Sequence, residues 1–510
     1  MLQSITYKNQ KTIVLIGLIV LKFLLQYFVL GADYELHRDE FLHLNQGNHL
    51  AWGYLSVPPF TSFIAYLIKI LGNSIFWIKF FPALYGALTI YIVWKAITAL
   101  NGNLFAHILG ALAVLLSALV RLNTLYQPNS FDVLCWTTLY YLLLQFVKTE
   151  NIKWLYIGSV IFAVAFLNKY NIAFLILGVV PAILITKVRK LFFQWHTLGA
   201  ILVAFVLILP NIIWQYNNHF PVFHHLEELA ATQLVNVKRI DFLKTQSLFF
   251  IGGLLPIIFS FYAFIKYKPF KRYHIFCWSF VFTIGFFLYF KAKDYYAIGI
   301  YPIYIAFGTV YLENWIEKAR LKKYMQPIAF ALPIVTFLPI LQIAFPNKSP
   351  EYIIQHSTKY QKLGLLRWED GKDHSIPQDF ADMLGWKELA AKVDSAYLKL
   401  PGETLVLCDN YGQAGAINYY SKLSIQAVSF NADYIYWFDL SKKYQNLIRV
   451  KEAGNIEEEL TETAPFFIQS AISGFITHPY AREYGTTIFV FTGAKIDIRE
   501  RLKQEIEENN

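Results

Sequence analysis

Long apolar runs separated by short polar turns fill the first two thirds of this chain of 510 residues. A helix needs about 20 apolar residues to cross a bilayer. With 56% hydrophobic and only 16% charged residues, the composition is that of a membrane protein. The sequence predicts about eleven transmembrane helices, at Thr12–Leu30, Trp77–Trp94, Phe105–Val120, Phe131–Val147, Trp154–Leu167, Ile172–Thr186, Thr197–Trp214, Leu248–Ile265, Ile275–Phe290, Ala297–Leu312 and Pro327–Phe345.

The first run has features of a signal peptide, since Lys8 and Lys11 precede it and Gly31-Ala32 end it. Its length and the further runs after it favour an uncleaved helix instead. Lysine and arginine concentrate in cytoplasmic loops, so their positions give the orientation. If the runs alternate from a cytoplasmic N-terminus, each dense basic cluster between runs falls on the cytoplasmic side. These clusters are Lys95; Lys148 and Lys153; Lys187, Arg189 and Lys190; Lys266, Lys268, Lys271 and Arg272; Lys318, Arg320, Lys322 and Lys323.

The chain after Pro346 differs in character and would lie outside the cytoplasm. Its patterns predict a small soluble α/β domain. The predicted elements are helices at Trp386–Leu398, Tyr411–Tyr420 and Ile496–Asn510, and strands at Thr404–Cys408 and Thr486–Phe491. We therefore expect an all-α polytopic membrane domain over residues 1–346 and an extracytoplasmic α/β domain over residues 347–510.

The net charge of +10 fits either basic cytoplasmic loops or a nucleic-acid partner. The basic residues stand in short clusters between apolar runs, which favours the loops, and we predict no nucleic-acid partner. Cys135 and Cys277 lie inside apolar runs and Cys408 lies in a polar region, so no disulfide framework is predicted.

The first predicted outer loop contains His37-Arg38-Asp39-Glu40. Two carboxylates beside an arginine suggest proton abstraction by a carboxylate, with a cation nearby to hold an anionic group. Asp39 and Glu40 also suit the first turn of a helix, where the dipole favours acidic side chains. On these four residues alone, the helix-start interpretation is the favoured one.

Two pairs of residues have the i, i+4 spacing that places metal ligands on one helix face: Asp39 with His43, and His224 with Glu228. Such pairs arise by chance in loops that contain histidine. We therefore predict no metal site and no cofactor.

Further polar segments converge on the same predicted outer surface. The stretch Tyr126–Asp132 opens a span from outside, while Asn168–Asn171 and Lys291–Tyr296 bring lysines to that surface. Lysine near a helix end usually snorkels to water, but the convergence of these groups favours a function. Residues Phe60–Leu71, after Pro58-Pro59, predict an interfacial helix on the outer leaflet.

Together these segments resemble the GT-C glycosyltransferase family that contains the protein O-mannosyltransferases and the lipid A aminoarabinose transferase (glycosyltransferase family 39-like). The resemblance covers roughly residues 32 to 312 and rests on His37–Glu40, His49–Pro59, Tyr126–Asp132, Leu167–Tyr170, Pro210–Pro221 with Trp214, and Lys293–Pro302. It implies a multi-pass enzyme of the bacterial cytoplasmic (inner) membrane. Such an enzyme moves a monosaccharide from a polyprenyl-phosphate-linked donor to an envelope acceptor, which is lipid A or lipopolysaccharide, a glycan, or a protein.

The resemblance also implies roles for individual residues. Asp39 falls on the family's acidic motif as the general base and Glu40 supports it, in one displacement that inverts the anomeric centre. The candidate ligands of the donor phosphate are Arg38, Lys169 and Lys293. The candidate substrate-binding residues are His49, Asn129, Asp132, Tyr295 and Tyr296.

One departure from the aminoarabinose transferases concerns the sugar. Those enzymes carry an acidic-basic pair just before the double proline, where this chain has Ser56 and Val57, and this favours another monosaccharide.

Two rival functions remain. A polytopic transporter of lipid-linked or small anionic substrates would place its binding groups within the spans, often in two related halves. A scaffold that presents the tail domain would not need acidic and basic groups gathered at the membrane face.

Overall fold

The computed structural model describes residues 2–232, 234–454 and 456–509, which separate into two compact units. The first unit is the chain up to Leu30 with Ala51–Thr61 and Leu71–Phe345. The second is Gly31–Leu50, Ser62–Ile70 and the chain from Pro346 onward. The second unit therefore includes the segment that carries His37–Glu40 as well as the tail.

All regular secondary structure that the model describes in the first unit is helical. Its α-helices are Leu2–Phe28, Ile75–Ala99, Leu104–Leu115, Leu119–Leu122, Pro128–Thr149, Lys153–Phe166, Ala173–Ile185, Arg189–Phe192, Trp195–Asn217, Pro221–Thr232, Arg239–Phe249, Leu254–Lys266, His274–Tyr289, Tyr301–Glu317 and Lys322–Ile343. Short 3₁₀ helices lie at Tyr170–Ile172, Leu234–Asn236, Ile251–Gly253, Lys268–Tyr273 and Asp294–Ile300.

Several of these helices expose apolar side chains, as helices do when they face lipid. In helix Trp195–Asn217, the side chains of Leu198, Ile201, Leu202 and Phe205 are all more than half exposed. Their spacing of three and four residues places them on one helix face. With its several long apolar helices, the chain is a multi-pass membrane protein.

The predicted count of about eleven transmembrane helices is not confirmed. Among the described residues, six helices are long and apolar enough to cross a membrane, or seven if one bent pair counts as a single span. Every predicted run falls on a helix, but several of those helices are short. The shorter apolar helices include Leu104–Leu115, Lys153–Phe166 and Tyr170–Ile185. An apolar run in the sequence does not show where its helix breaks.

The run predicted at Leu248–Ile265 illustrates such a break. Helices Arg239–Phe249 and Ile251–Lys266 meet at 73°. A Cβ atom added to Gly252 would lie 2.6 Å from the Cα atom of Pro333. Glycine thus permits the close approach of backbones where the chain turns, and this turn replaces the single helix that was predicted.

The second unit contains helices and strands. Its α-helices are Arg38–Gln46, Phe60–Ile70, whose first two residues belong to the first unit, Pro350–Gln355, Ser357–Lys362, Gln378–Ala381, Trp386–Tyr397, Tyr411–Tyr420, Ile456–Thr463 and Ile498–Asn509. Short 3₁₀ helices lie at Ala432–Trp437 and Ala464–Phe466. The strands are β1 (Thr404–Cys408), β2 (Ala427–Ser429), β3 (Asn446–Lys451), β4 (Phe467–Phe475) and β5 (Thr487–Ala494).

These five described strands form one sheet in the order β2-β1-β3-β5-β4. Strands β1, β2 and β3 are parallel, with Val406 opposite both Ala427 and Ile448, whereas β5 runs antiparallel to β3 and β4. Helix Tyr411–Tyr420 connects β1 to β2 as a crossover, as parallel neighbours require. The small α/β domain expected in the tail is therefore present.

The predicted tail elements correspond to β1, β5 and the helices Trp386–Tyr397, Tyr411–Tyr420 and Ile498–Asn509. The predicted residue Asn510 lies outside the described residues. Strands β2, β3 and β4 were not predicted. Strand β2 has only three residues, which is too short for a periodic signal. In β4 most side chains are exposed although several are apolar, so its pattern does not alternate as in a half-buried strand.

Candidate active site

The motif His37–Glu40 forms the start of helix Arg38–Gln46. The Nδ1 atom of His37 accepts a hydrogen bond from the backbone N–H of Asp39 at 3.2 Å, and the Glu40 carboxylate accepts one from the backbone N–H of His37 at 2.9 Å. This reciprocal pair is a capping box. Glu40 is fully buried in it. The helix-start interpretation therefore describes Glu40 well, and the same cap fixes the backbone that carries Asp39.

The Asp39 side chain remains 37% exposed and accepts a hydrogen bond from the Tyr411 hydroxyl, 2.7 Å from its Oδ1 atom. Desolvation raises the pKa of this carboxyl. The electrostatic effect of the adjacent His37, the hydrogen bond from Tyr411 and the charge of Arg38 outweigh desolvation and hold the pKa of Asp39 below its usual value. Asp39 is therefore ionised near neutral pH, in the form that accepts a proton.

Arg38 lies over an aromatic ring beside this carboxylate. Its guanidinium carbon is 4.7 Å from the centroid of the Tyr411 ring, within the range of a cation–π contact. Its buried Nε atom has no hydrogen-bond partner among the described residues. Arg38 thus has hydrogen-bonding capacity left for an anionic group.

Tyr411 and Asp382 were not predicted as site residues. Asp382 lies 3.7 Å from His37 and 3.3 Å from Arg482, measured between the nearest charged atoms. The sequence correctly placed Tyr411 in a helix. It gave no signal for the contact with Asp39, which joins residues 372 positions apart.

His49, a predicted substrate-binding residue, stacks on an aromatic ring in the second unit. The centroids of the His49 and Trp437 rings are 4.3 Å apart and the ring planes differ by 11°. Burial, and to a smaller extent the charge of Lys69, lowers the pKa of His49. Its imidazole is therefore neutral near pH 7. Trp437 was not predicted.

In the first unit, the structure places three of the predicted residues around Lys169, which are Asn129, Tyr295 and Tyr296. The Nζ atom of Lys169 donates a hydrogen bond to Oδ1 of Asn129 at 2.6 Å. It also lies 4.2 Å and 5.2 Å from the ring centroids of Tyr296 and Tyr295. These residues come from the first turn of helix Pro128–Thr149, from the turn after helix Lys153–Phe166, and from the 3₁₀ helix Asp294–Ile300.

Asp132 lies one helical turn after Asn129 and is buried. Its carboxylate accepts hydrogen bonds from Trp136 Nε1 at 3.1 Å and from Asn171 Nδ2 at 2.8 Å. The same Asn171 amide donates to the backbone carbonyl of Tyr296 at 3.1 Å. Asn171 thus joins Asp132 to the segment that carries the tyrosines. Lys169, two positions earlier in the chain, was predicted as a phosphate ligand, but Asn171 was not predicted as a site residue.

The last predicted phosphate ligand of the first unit, Lys293, acts electrostatically on Lys169. Desolvation of the partly buried Lys169 side chain lowers its pKa to about 8; the Asp132 carboxylate opposes this shift and the Lys293 ammonium adds to it. Lys169 makes no ion pair within 4.0 Å in the part of the chain that the structure describes. Lys169 and Lys293 repel each other, and a pair of neighbouring cations attracts an anion.

The two pairs with metal-ligand spacing do not form metal sites in the described residues, which contain no group of three or more His, Cys, Asp or Glu side chains placed to hold an ion. His43 Nδ1 instead lies 3.0 Å from Gln46 Oε1. The helix that carries His224 and Glu228, Pro221–Thr232, has no buried residues. That the protein needs no metal stays a prediction.

Comparisons with known proteins bear on this arrangement. Residues 56–214, under a third of the chain, match the family model described as dolichyl-phosphate-mannose-protein mannosyltransferase. This segment includes Asn129, Asp132 and Lys169. No match is found among curated proteins.

The fold is similar to that of ArnT from Cupriavidus metallidurans. The crystal structure of its apo state gives a TM-score of 0.63 at 15% identity, over 95% of this chain and 98% of that one. The structure bound to undecaprenyl phosphate gives 0.62 at 14% identity, over 94% and 97%. At such identities the likeness shows the fold alone. Together with the family match, it confirms the resemblance to the GT-C glycosyltransferases.

Proposed function

We propose that this protein is a membrane glycosyltransferase that moves a monosaccharide from a polyprenyl-phosphate-linked donor to an envelope acceptor, with inversion at the anomeric carbon. Lys169 and Lys293 bind the donor phosphate, and Asp39 takes the proton from the acceptor hydroxyl. The reaction takes place at the outer face of the bacterial cytoplasmic membrane, with the N-terminus in the cytoplasm.

The observation that carries this proposal is the environment of Lys169. Its ammonium group donates a hydrogen bond to Asn129 and lies over two tyrosine rings. The nearby positive charge of Lys293 lowers its pKa. A lysine that serves only to stabilise the fold usually has a carboxylate partner or reaches water. A phosphate placed here would relieve the repulsion between the lysines and would raise the pKa of Lys169.

The same cations would assist the chemistry. A sugar phosphate ester breaks its glycosidic bond with negative charge growing on the phosphate oxygens. Fixed ammonium groups stabilise that charge more in the transition state than in the bound donor. The lipid phosphate then leaves without needing a proton. The hydroxyl groups of Tyr295 and Tyr296 provide further donors for the phosphate or the sugar.

The acceptor side of the proposal rests on Asp39. The carboxylate is ionised near neutral pH, is partly exposed, and stands on a capped helix. As the acceptor oxygen attacks the anomeric carbon, its proton passes to this carboxylate, in the manner of the base in an inverting glycosidase. Glu40 supports the base by holding the helix start, and Arg38 provides a cation beside it.

The comparisons support the donor class. The family model is named for a dolichyl-phosphate sugar, and one of the similar structures contains undecaprenyl phosphate. The residues Ser56 and Val57 replace an acidic-basic pair of the aminoarabinose transferases, which favours a different sugar. The acceptor class that we propose is an envelope glycolipid, glycan or protein.

The test is a transfer assay with the full-length protein in lipid nanodiscs. A panel of synthetic polyprenyl-phosphate monosaccharides is incubated with a detergent extract of the envelope, and both the released polyprenyl phosphate and the labelled acceptor are measured. We expect release that depends on the acceptor in the wild-type protein and its loss in Lys169→Met. Lys153→Met is the matched control, because Lys153 also lies over an aromatic ring, that of Trp154, at the start of helix Lys153–Phe166, whereas Lys169 lies in the turn after the end of that helix. Equal release by all three proteins would contradict the proposal.

A further inference from the structure

Helix Tyr411–Tyr420 packs closely on helix Arg38–Gln46, which carries the proposed base. A Cβ atom added to Gly415 would lie 2.5 Å from Cβ of Phe41 and 2.7 Å from the Tyr434 hydroxyl. One added to Gly412 would lie 3.3 Å from Cβ of Arg38. Glycines on this face therefore let the two helices approach more closely than any other residue would allow.

The start of helix Tyr411–Tyr420 is anchored in the sheet. The helix follows directly on β1, and the side chain of its N-cap, Asn410, accepts a hydrogen bond from the backbone N–H of Gln413 at 3.0 Å. The Asn410 amide donates to Glu452 at 2.8 Å and to Glu483 at 3.1 Å, and Gln413 also donates to Glu483, at 2.7 Å. The helix start that carries Tyr411 is therefore held by several side-chain hydrogen bonds of the residues on either side of it, Asn410 and Gln413.

The side chain of Tyr411 is fixed at both ends. Arg38 lies over its ring at 4.7 Å, and its hydroxyl donates to Oδ1 of Asp39 at 2.7 Å. Proximity to Asp39 and burial raise the pKa of the Tyr411 hydroxyl well above its usual value, with burial as the larger cause. The phenol therefore keeps its proton throughout the physiological range and remains a hydrogen-bond donor to the carboxylate.

We infer that Tyr411 is a positioning residue for the proposed base: its hydroxyl holds the Asp39 carboxylate in one orientation and stabilises its charged form. The inference rests on the proposed function and gives the tail domain a part in it. The tail would supply a group, the Tyr411 hydroxyl, that prepares the base for proton transfer.

Other charged and titratable groups also face Asp39, and the test must separate Tyr411 from them. Arg38 and His43 share the helix of Asp39, His37 caps it, and Asp382 approaches from the tail and repels the carboxylate. The change from Tyr411 to Phe leaves all four in place. It also keeps the ring under Arg38 and removes only the hydroxyl.

The experiment measures the protonation of Asp39 directly. The full-length protein in nanodiscs is treated with a carbodiimide and an amine at pH values from about 2 to 6, which bracket the lowered pKa of Asp39, and labelling of the Asp39 peptide is quantified by mass spectrometry. Only the protonated carboxyl is activated efficiently, and Asp39 is exposed enough to react. Because the phenol stabilises the carboxylate, we expect Tyr411→Phe to move the midpoint of labelling upward by about 0.5–1 pH unit.

Tyr444→Phe is the matched control. The Tyr444 hydroxyl also makes one hydrogen bond within the tail, to the backbone carbonyl of Asp439 at 2.9 Å, and its loss should leave the Asp39 midpoint unchanged. Identical midpoints in the wild-type, Tyr411→Phe and Tyr444→Phe proteins would overturn the inference. A general loosening of the tail would move the midpoint in both variants and would overturn it as well.

A transfer assay then separates this inference from the proposed function. If both hold, the acidic limb of the pH–rate profile moves upward in Tyr411→Phe by the same amount as the labelling midpoint. If Asp39→Asn still transfers sugar at the wild-type rate, the proposed role of Asp39 fails, whatever Tyr411 does. If Asp39→Asn is inactive but Tyr411→Phe has the wild-type profile and midpoint, only the role of Tyr411 fails.

Discussion

Lys169 donates a hydrogen bond to Asn129 at 2.6 Å, across forty positions of the chain. This contact joins the turn after one apolar helix to the first turn of another. It directs the lysine ammonium toward the tyrosine pair Tyr295 and Tyr296 instead of toward a carboxylate. The proposed phosphate site therefore depends on the packing of helix ends.

Removal of the Lys169 charge should weaken binding of the donor phosphate. A hydrogen bond to a charged group contributes about 1.5–3 kcal/mol, so Lys169→Met should weaken the affinity for a polyprenyl phosphate by about 10- to 100-fold. The measurement is native mass spectrometry or microscale thermophoresis in nanodiscs. Lys153→Met should bind like the wild-type protein, and a parallel loss in that control would point to a general effect of lost charge.

Binding of the donor phosphate should also depend on pH in the alkaline range. The pKa of Lys169 is lowered to about 8 in the unliganded protein, and a bound anion raises it. The ammonium contributes fully below pH 8, and the affinity should fall by up to about tenfold per pH unit above it. Dissociation constants of the donor measured between pH 7 and 9.5 check this, because the phosphodiester of the donor keeps its single negative charge over that range. Lys169→Arg should flatten the dependence, since arginine stays protonated; the same slope in both proteins would exclude Lys169 as the titrating group.

Asn171 should be important for stability. Its amide donates both to Asp132 and to the Tyr296 carbonyl. Asn171→Ala would leave the buried Asp132 carboxylate with one fewer donor, which should cost about 1–3 kcal/mol. A thermal-unfolding scan in detergent should show a clear fall in melting temperature. Asn151→Ala removes an exposed hydrogen bond from the backbone N–H of Lys153 and should change the melting temperature little. An equal fall in melting temperature in both variants would show that Asn171 has no special role.

Glu40 should behave as a capping residue. Glutamine also serves at this position of a capping box, so Glu40→Gln should retain most of the transfer activity. Glu40→Ala removes one of the two hydrogen bonds of the capping box and leaves the buried His37 N–H without that acceptor, which should cost about 1–3 kcal/mol of stability. Activity and melting temperature measured on both variants check this. Complete inactivity of a stably folded Glu40→Gln would instead give Glu40 a direct part in the chemistry.

The sequence revealed the parts of this protein that depend on local pattern. Apolar runs predicted helices in the first unit, and the short apolar run at Thr404–Cys408 predicted β1. The number of spans was not confirmed because length alone does not show where a run bends, as between Arg239–Phe249 and Ile251–Lys266. At this bend Gly252 lies close to the backbone of Pro333, a contact between distant positions that only the folded chain shows.

The candidate site likewise contains residues that the sequence predicted and residues that it did not. Lys169 and Asn129 were predicted because their segments, Asn168–Asn171 and Tyr126–Asp132, converge on one predicted surface and belong to the resemblance to the GT-C family. Tyr411 was missed because its role comes from a contact with a residue 372 positions earlier. Trp437 and Asn171 were missed for the same reason, since their contacts arise only when the fold is complete.

The central claim is that Asp39 is the base of a sugar transfer. The most direct test compares envelope glycolipids and glycoproteins, by mass spectrometry, from cells that carry wild-type protein, Asp39→Asn or Glu40→Gln at matched membrane levels. Loss of a general base typically costs about 10²–10⁴-fold in rate. We expect one species to lack a single sugar mass in Asp39→Asn cells only. If a deletion strain lacks that sugar while Asp39→Asn cells retain it in full, Asp39 is not the base and the account is contradicted.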